Sequence, residues 1–165
     1  MLAISGYGDL VLDEVYSWYF ASQKSIIETV KTLMTQDVHT PLYFIILHTW
    51  IKVLGVSPKA MHLCSLMLSL PLIPFCFYFM KKHFGTMSAY LATIMLAIST
   101  FCVYYSIQVR FYSLVLPLTL ILGFLYLELL EKFNKKTAIY FIIAHTLLIY
   151  TFTLSLVLCG FYFIV

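Results

Sequence analysis

Leu12-Asp13-Glu14-Val15-Tyr16-Ser17 sets two adjacent carboxylates at the head of an amphipathic, aromatic-rich run. Asp37 and His39 follow in the polar turn Gln36-Asp37-Val38-His39-Thr40-Pro41, and Arg110 closes the short link Ser106 to Arg110. In a chain with only 10% charged residues, these side chains want a reason. A carboxylate can deprotonate a hydroxyl, and acids beside a histidine can hold a divalent cation. Asp13, Glu14, Asp37 and His39 are therefore candidates for both. Arg110 suits a phosphate, because its planar fork matches phosphate oxygens and stays charged. Each residue also has a plainer role. Asp13 can N-cap a helix, Asp37 and His39 can form a polar turn, and Arg110 can snorkel to a membrane interface. Residue type alone leaves both sets open.

The elements that must position these groups are mostly hydrocarbon. The 165 residues are 62% hydrophobic, with a mean hydropathy of +0.97. Soluble domains run at roughly 45–50% apolar and about 25% charged residues, so the chain is expected to be an integral membrane protein. Its net charge of +3 lies in short flanking clusters, which excludes a nucleic-acid footprint. Cys64, Cys76, Cys102 and Cys159 are scattered through apolar stretches without C-x-x-C spacing and read as packing residues. Residues 1–9 lack the basic n-region of a signal peptide. The chain opens in a polar-aromatic stretch and stops inside an apolar one, the pattern expected of an N-terminal fragment.

Residues 9–59 are too polar to span, and residues 1–59 form the first unit, an extracytoplasmic loop with juxtamembrane helices. Ser25 and Glu28 make a capping box for a helix from Ile26 to about Thr35, whose apolar spacing suits an interfacial helix. Thr40 and Pro41 start another helix that Gly55 ends. At about fourteen residues, or roughly 21 Å, it is short of a ~30 Å hydrocarbon core and is expected to be re-entrant or interfacial. Residues 60–165 form the second unit, an all-α bundle. Spans are expected at about 60–80 (kinked near Pro71 and Pro74), 87–105, 111–130 with Pro117 inside, and 138–165. Glu128/Lys132 and Glu131/Lys135 have the spacing of helical i,i+4 pairs.

This order fixes an orientation. Lys81-Lys82 and the lysines at 132–136 are two spans apart and share a side, the cytoplasm by the positive-inside rule. Arg110 and the 1–59 loop, with four lysines against five acids, then lie outside. Asp13, Glu14, Asp37, His39 and Arg110 thus meet at one external membrane surface. Tyr104, Tyr105 and Tyr112 read as aromatic-belt residues there, while His48, His62 and His145 read as packing or interfacial.

Five motifs in order carry a resemblance: Leu-Asp-Glu-Val-Tyr-Ser (12–17), Asp-Val-His-Thr-Pro-Leu-Tyr (37–43), Trp50 through Gly55, Lys81 through Gly85, and Tyr-Tyr-Ser-Ile-Gln-Val-Arg-Phe-Tyr (104–112). Over about residues 10–130 the chain resembles polyprenyl-phosphate-sugar-dependent glycosyltransferases of the GT-C fold, in the RgtA/B/C/D-like and protein O-mannosyltransferase-like branch. The resemblance implies a multi-pass plasma (inner) membrane enzyme with an extracytoplasmic active face. It implies that Asp13 is the catalytic base, with Glu14 its partner, and that transfer inverts the anomeric centre. Asp37 and His39 line the same cavity, Arg110 holds the donor phosphate, and Tyr105 and Gln108 join the substrate-binding set. The implied donor is a polyprenyl or dolichyl phosphate sugar, and the acceptor a glycan, lipid or protein hydroxyl. No cofactor is implied beyond an optional divalent metal. Two departures stand out. Thr40 replaces a usual second proline, and Ile107-Gln108 replaces Gln-Glu, which removes a carboxylate from any metal site.

Two other classes fit the composition. A transporter or lipid-flipping module would use the polar loop as a gate, but such proteins place ionisable groups near the bilayer midplane, where these spans carry almost none. A truncated, non-catalytic membrane remnant would need no site at all.

Overall fold

The computed structural model describes residues 10–37, 39–157 and Gly160. Regular structure among the described residues is helical throughout, without a strand. Helices α1 (Leu12–Ala21), α2 (Ile26–Gln36) and α3 (Leu42–Leu54) precede α4 (Pro58–Ser69), α5 (Leu72–Phe84), α6 (Thr86–Ile98), α7 (Thr100–Ile107), α8 (Tyr112–Glu131) and α9 (Lys135–Ile149). Their boundaries are written in local chemistry. The Ser25 hydroxyl accepts from the Glu28 amide at 3.2 Å, and the Ser57 hydroxyl accepts from the Ala60 amide at 3.2 Å. Gly55 and Gly85 end α3 and α5 with φ of +87° and +85°, a region closed to most side chains. Pro41 sits at the N-cap of α3, one residue before its expected place at the first helical position.

Pro58–Phe84 and Tyr112–Glu131 are long and apolar enough to cross a membrane. The two helices of the first, α4 and α5, meet at Leu70-Pro71, where the proline ring removes a backbone donor. The stretch expected to be one span over 87–105 is instead α6 and α7, bent by 60°, and makes a third crossing only if the pair is taken together. The cause is Ser99. Its backbone is extended, and its hydroxyl caps α7 by accepting from the Cys102 amide at 3.4 Å.

The expected span over 138–165 is also revised. Helix α9 stops at Ile149, and the chain turns through Tyr150 and Thr151 into a 3-10 turn at Thr153–Ser155. The Thr151 hydroxyl donates to the Leu147 carbonyl at 2.7 Å, and the Phe152 ring stacks on Phe111 at 5.1 Å. Both contacts draw the chain out of the helical line. The residues that follow Val157, apart from Gly160, lie outside the described ones.

The legs alternate in direction. Helices α4–α5 run away from the end that holds α1–α3, α6–α7 return to it, α8 runs away again and α9 returns. At the far end Lys82 pairs with Glu128, and His83 Nδ1 lies 2.9 Å from Glu131. These contacts replace the expected Glu128/Lys132 and Glu131/Lys135 pairs, because α8 ends at Glu131 and Lys132 is already extended. At the near end the Leu42 amide donates to the Tyr150 carbonyl at 3.0 Å, tying α3 to the end of α9. Helix α8 joins the two ends. Its 20 residues span about 30 Å, the thickness of a hydrocarbon core.

Two apolar cores follow. One gathers Phe20, Ala21, Leu33, Tyr43, Phe44, Leu47, Ile51, Met61 and Cys64 with Val109 and Phe111, so α1–α4 pack as one body around the link between α7 and α8. The other lies between α8 and α9, around Leu118, Leu122, Leu125, Ala144 and Leu148. Cys64 and Cys76 are buried and Cys102 is half-buried, all as free thiols; Cys159 lies outside the described residues.

Candidate functional site

The site is built on the first turn of α1. Val11, not Asp13, is the N-cap residue, so Asp13 and Glu14 fall inside the helix, where negative charge complements the N-terminal dipole. Neighbours in sequence, they face opposite ways. Asp13 is exposed, whereas Glu14 is only 2% exposed.

Glu14 is tied at both oxygens. One accepts from the Val11 amide at 3.0 Å, closing the first turn. The other accepts from the Val109 amide at 2.8 Å, across 95 residues of sequence. A buried carboxylate is tolerated only when its lone pairs are met, and here backbone N–H groups meet them. His62 of α4 adds to the tie. Its Nδ1 donates to the Ile107 carbonyl at 2.8 Å and lies 3.7 Å from the same Glu14 oxygen. Glu14 therefore works as a clasp that fastens α1 to the 107–111 link.

The clasp sets Arg110 beside Asp13. Arg110 Nη1 donates to the Asp13 backbone carbonyl at 3.3 Å, and the guanidinium lies 5.3 Å from the Phe111 ring centre. Among the described residues no carboxylate pairs with Arg110, and its buried Nε–H has no acceptor. The Asp13 carboxylate likewise has no hydrogen-bond or ion-pair partner among the described residues. An unneutralised cation and an unengaged base thus share one rim.

Phe111 links this rim to the second pair. His39 packs against it at 4.8 Å, and His39 Nδ1 meets the Asp37 carboxylate at 2.6 Å. Val38, between them, lies outside the described residues. The pair borders a cleft of about 570 Å³ that is walled by Val30, Met34, Pro41, Ile149 and Tyr150, with Thr40 on its polar side. That volume falls within the roughly 300–1,000 Å³ usual for small-molecule sites.

Gln108 and Tyr105 sit just behind Arg110. Gln108 is buried, its Nε2 donates to the Tyr104 hydroxyl at 3.3 Å, and its Oε1 has no partner among the described residues. Tyr105 stacks edge-on with Tyr112 at 4.8 Å and Tyr104 at 5.2 Å, an aromatic girdle around the link. Tyr43 lies buried on the inner side, sharing a 2.9 Å hydrogen bond with Ser65, and burial pushes its hydroxyl far above the ordinary range. It is not a base.

The four metal candidates do not converge. Among the described residues no three His, Cys, Asp or Glu side chains come together as a metal would require. Glu14 spends its oxygens on backbone donors, and Asp37 and His39 bond to each other. The structure joins Arg110 to the Asp13 backbone and Glu14 to the neighbouring Val109 amide, and it attaches Asp37 and His39 through Phe111. Sequence reasoning missed two participants, His62 and the Val109 amide. A backbone donor leaves no sequence signal, and His62 looks like any interfacial histidine.

His48 is the packing residue expected of it. It is 4% exposed, and its Nδ1 bonds the Ala21 carbonyl at 2.8 Å and lies 3.2 Å from the Thr29 hydroxyl, joining α3 to α1 and α2. Comparison with protein-family models, curated proteins and solved structures gave no match for this chain.

Proposed function

We propose that the chain is the catalytic-loop part of a multi-pass membrane glycosyltransferase. It moves a sugar from a polyprenyl-phosphate-linked donor to an acceptor hydroxyl on the extracytoplasmic side of the plasma membrane. The observation that carries this reading is the meeting of Asp13 and Arg110, remote in sequence, with the carboxylate unengaged and the guanidinium unneutralised. The Asp13 carboxylate takes the acceptor proton as that oxygen attacks C1 of the sugar. The C1–O bond to phosphate breaks, its electron pair leaves on the phosphate, and Arg110 offsets the charge that develops there. Attack opposite the leaving group inverts C1. Asp37 and His39 line the flank of the site, with Tyr105 and Gln108 behind the clamp. The lipid chain of the donor stays with the apolar helices, which places its phosphate at the rim.

A single test addresses the clamp. Arg110→Ala in the full-length membrane-embedded protein is expected to raise the KM for the lipid-phosphate sugar about ten- to a hundredfold, the loss of hydrogen bonds to a charged group. An unchanged donor KM overturns the assignment.

One observation favours a second reading, a transporter or lipid-flipping module. The junction of α4 and α5 and the broken pair α6–α7 border a cavity of about 90 Å³, lined by Leu66, Ser69, Leu70, Cys102 and Ser106 among others. Broken helices facing one another mark many transport sites. This cavity has no ionisable side chain except a thiol, whereas the rim has several. Substrate movement across sealed vesicles without transfer of the sugar would select the transporter.

A further inference from the structure

We infer that the turn between α8 and α9 binds the head groups of anionic membrane lipids. The charge distribution is the first ground. Lys81, Lys82, Lys132, Lys135 and Lys136 gather at this end with Glu128 and Glu131. Five cations against two anions leave +3 here, equal to the formal charge of the whole chain, so the rest of the sequence sums to zero.

The pairing pattern is the second ground. Glu128 is taken by Lys82 and Glu131 by His83. Among the described residues, Lys132, Lys135 and Lys136 have no carboxylate partner, and all three are exposed. They border a recess of about 670 Å³ together with Phe133, Asn134 and Thr137, and with Glu128 and Glu131, whose carboxylates are engaged by Lys82 and His83.

The apolar neighbours supply the third ground and choose the source of the anion. Phe133 is 72% exposed and Leu130 61%, beside the lysines rather than apart from them. A soluble phosphate has no use for such a surface. A lipid matches it, with a phosphate for the lysines and acyl chain for Phe133 and Leu130. Helix α8 places this turn about 30 Å from Arg110, at the opposite boundary of the hydrocarbon layer. There the anionic leaflet of a membrane would meet it.

The test is native mass spectrometry of the full chain in detergent, titrated with phosphatidylglycerol, phosphatidylcholine and inorganic phosphate. Phosphatidylglycerol is expected to bind at least about tenfold tighter than phosphatidylcholine, and inorganic phosphate is expected not to compete. The triple variant Lys132→Gln, Lys135→Gln, Lys136→Gln is expected to weaken phosphatidylglycerol binding on the order of a hundredfold, several-fold for each lysine lost. Phe133→Ser is expected to weaken both lipids alike. As a control for general charge loss, Lys24→Gln with Lys31→Gln is expected to change nothing. Equal binding of the two lipids, full competition by inorganic phosphate, or an unaltered preference in the triple variant each overturns the inference. None of these readouts depends on sugar transfer.

Discussion

The two ends of α8 hold similar charged groups in opposite ways. At the near end Glu14 is buried, and its oxygens are spent on the Val11 and Val109 amides. At the far end Glu128 meets Lys82, and Glu131, its side chain 63% exposed, meets the largely covered His83. A surface ion pair competes with water and contributes about 0–1 kcal/mol. A buried carboxylate has no water to fall back on, so losing its partners is costly in both directions. One end is therefore a joint on which the geometry of the rim depends, and the other is a solvated boundary that can change partners.

The sharpest way to break this comparison is Glu14→Ala. It strands the buried Val109 amide and frees α1 from the link, so a loss of about 2–3 kcal/mol is expected in unfolding in detergent micelles. A loss below 1 kcal/mol would make Glu14 equivalent to the far-end glutamates. His48→Ala comes next. Removing its hydrogen bond to the Ala21 carbonyl is expected to cost about 1–3 kcal/mol, because that end of α1 is buried too. Loss of the Ser25 cap in Ser25→Ala is expected to cost about 1 kcal/mol, seen as earlier fraying of α2 by hydrogen exchange. The smallest effect belongs to the far end. Lys82→Gln is expected to stay within about 1 kcal/mol of the parent, and a larger change would show that this pair is structural.

Much of the helical skeleton was legible. Ser25, Ser57-Pro58, Gly55, Gly85 and Pro71 each carry a local signal that needs no tertiary context, and the elements begin or end where those signals stand. The gathering of Asp13 and Arg110 at one end followed from counting crossings. The roles of Asp13 and Glu14 could not be separated in that way. Which of two adjacent carboxylates turns inward depends on the face α1 offers to Val109, and that contact spans the length of the chain. The break at Ser99 was hidden for another reason. Residues 87–105 are apolar almost throughout, and a single serine hydroxyl redirects the backbone without altering the average. The early end of α9 was equally silent, since it depends on Phe152 stacking against Phe111. The lysine pairs expected along α8 failed because spacing assumes a helix that had already stopped.

The proposed function requires Asp13 and Arg110 to serve one lipid-phosphate sugar. The most direct measurement is transfer from a radiolabelled polyprenyl-phosphate sugar by the full-length membrane-embedded protein carrying Asp13→Asn. Because the Asp13 side chain is exposed and its backbone carbonyl is what Arg110 holds, folding and donor KM are expected to stay as in the parent. The rate of transfer is expected to fall about 10²–10⁴-fold, the usual worth of a positioned base. Undiminished turnover at an unchanged donor KM would contradict the account.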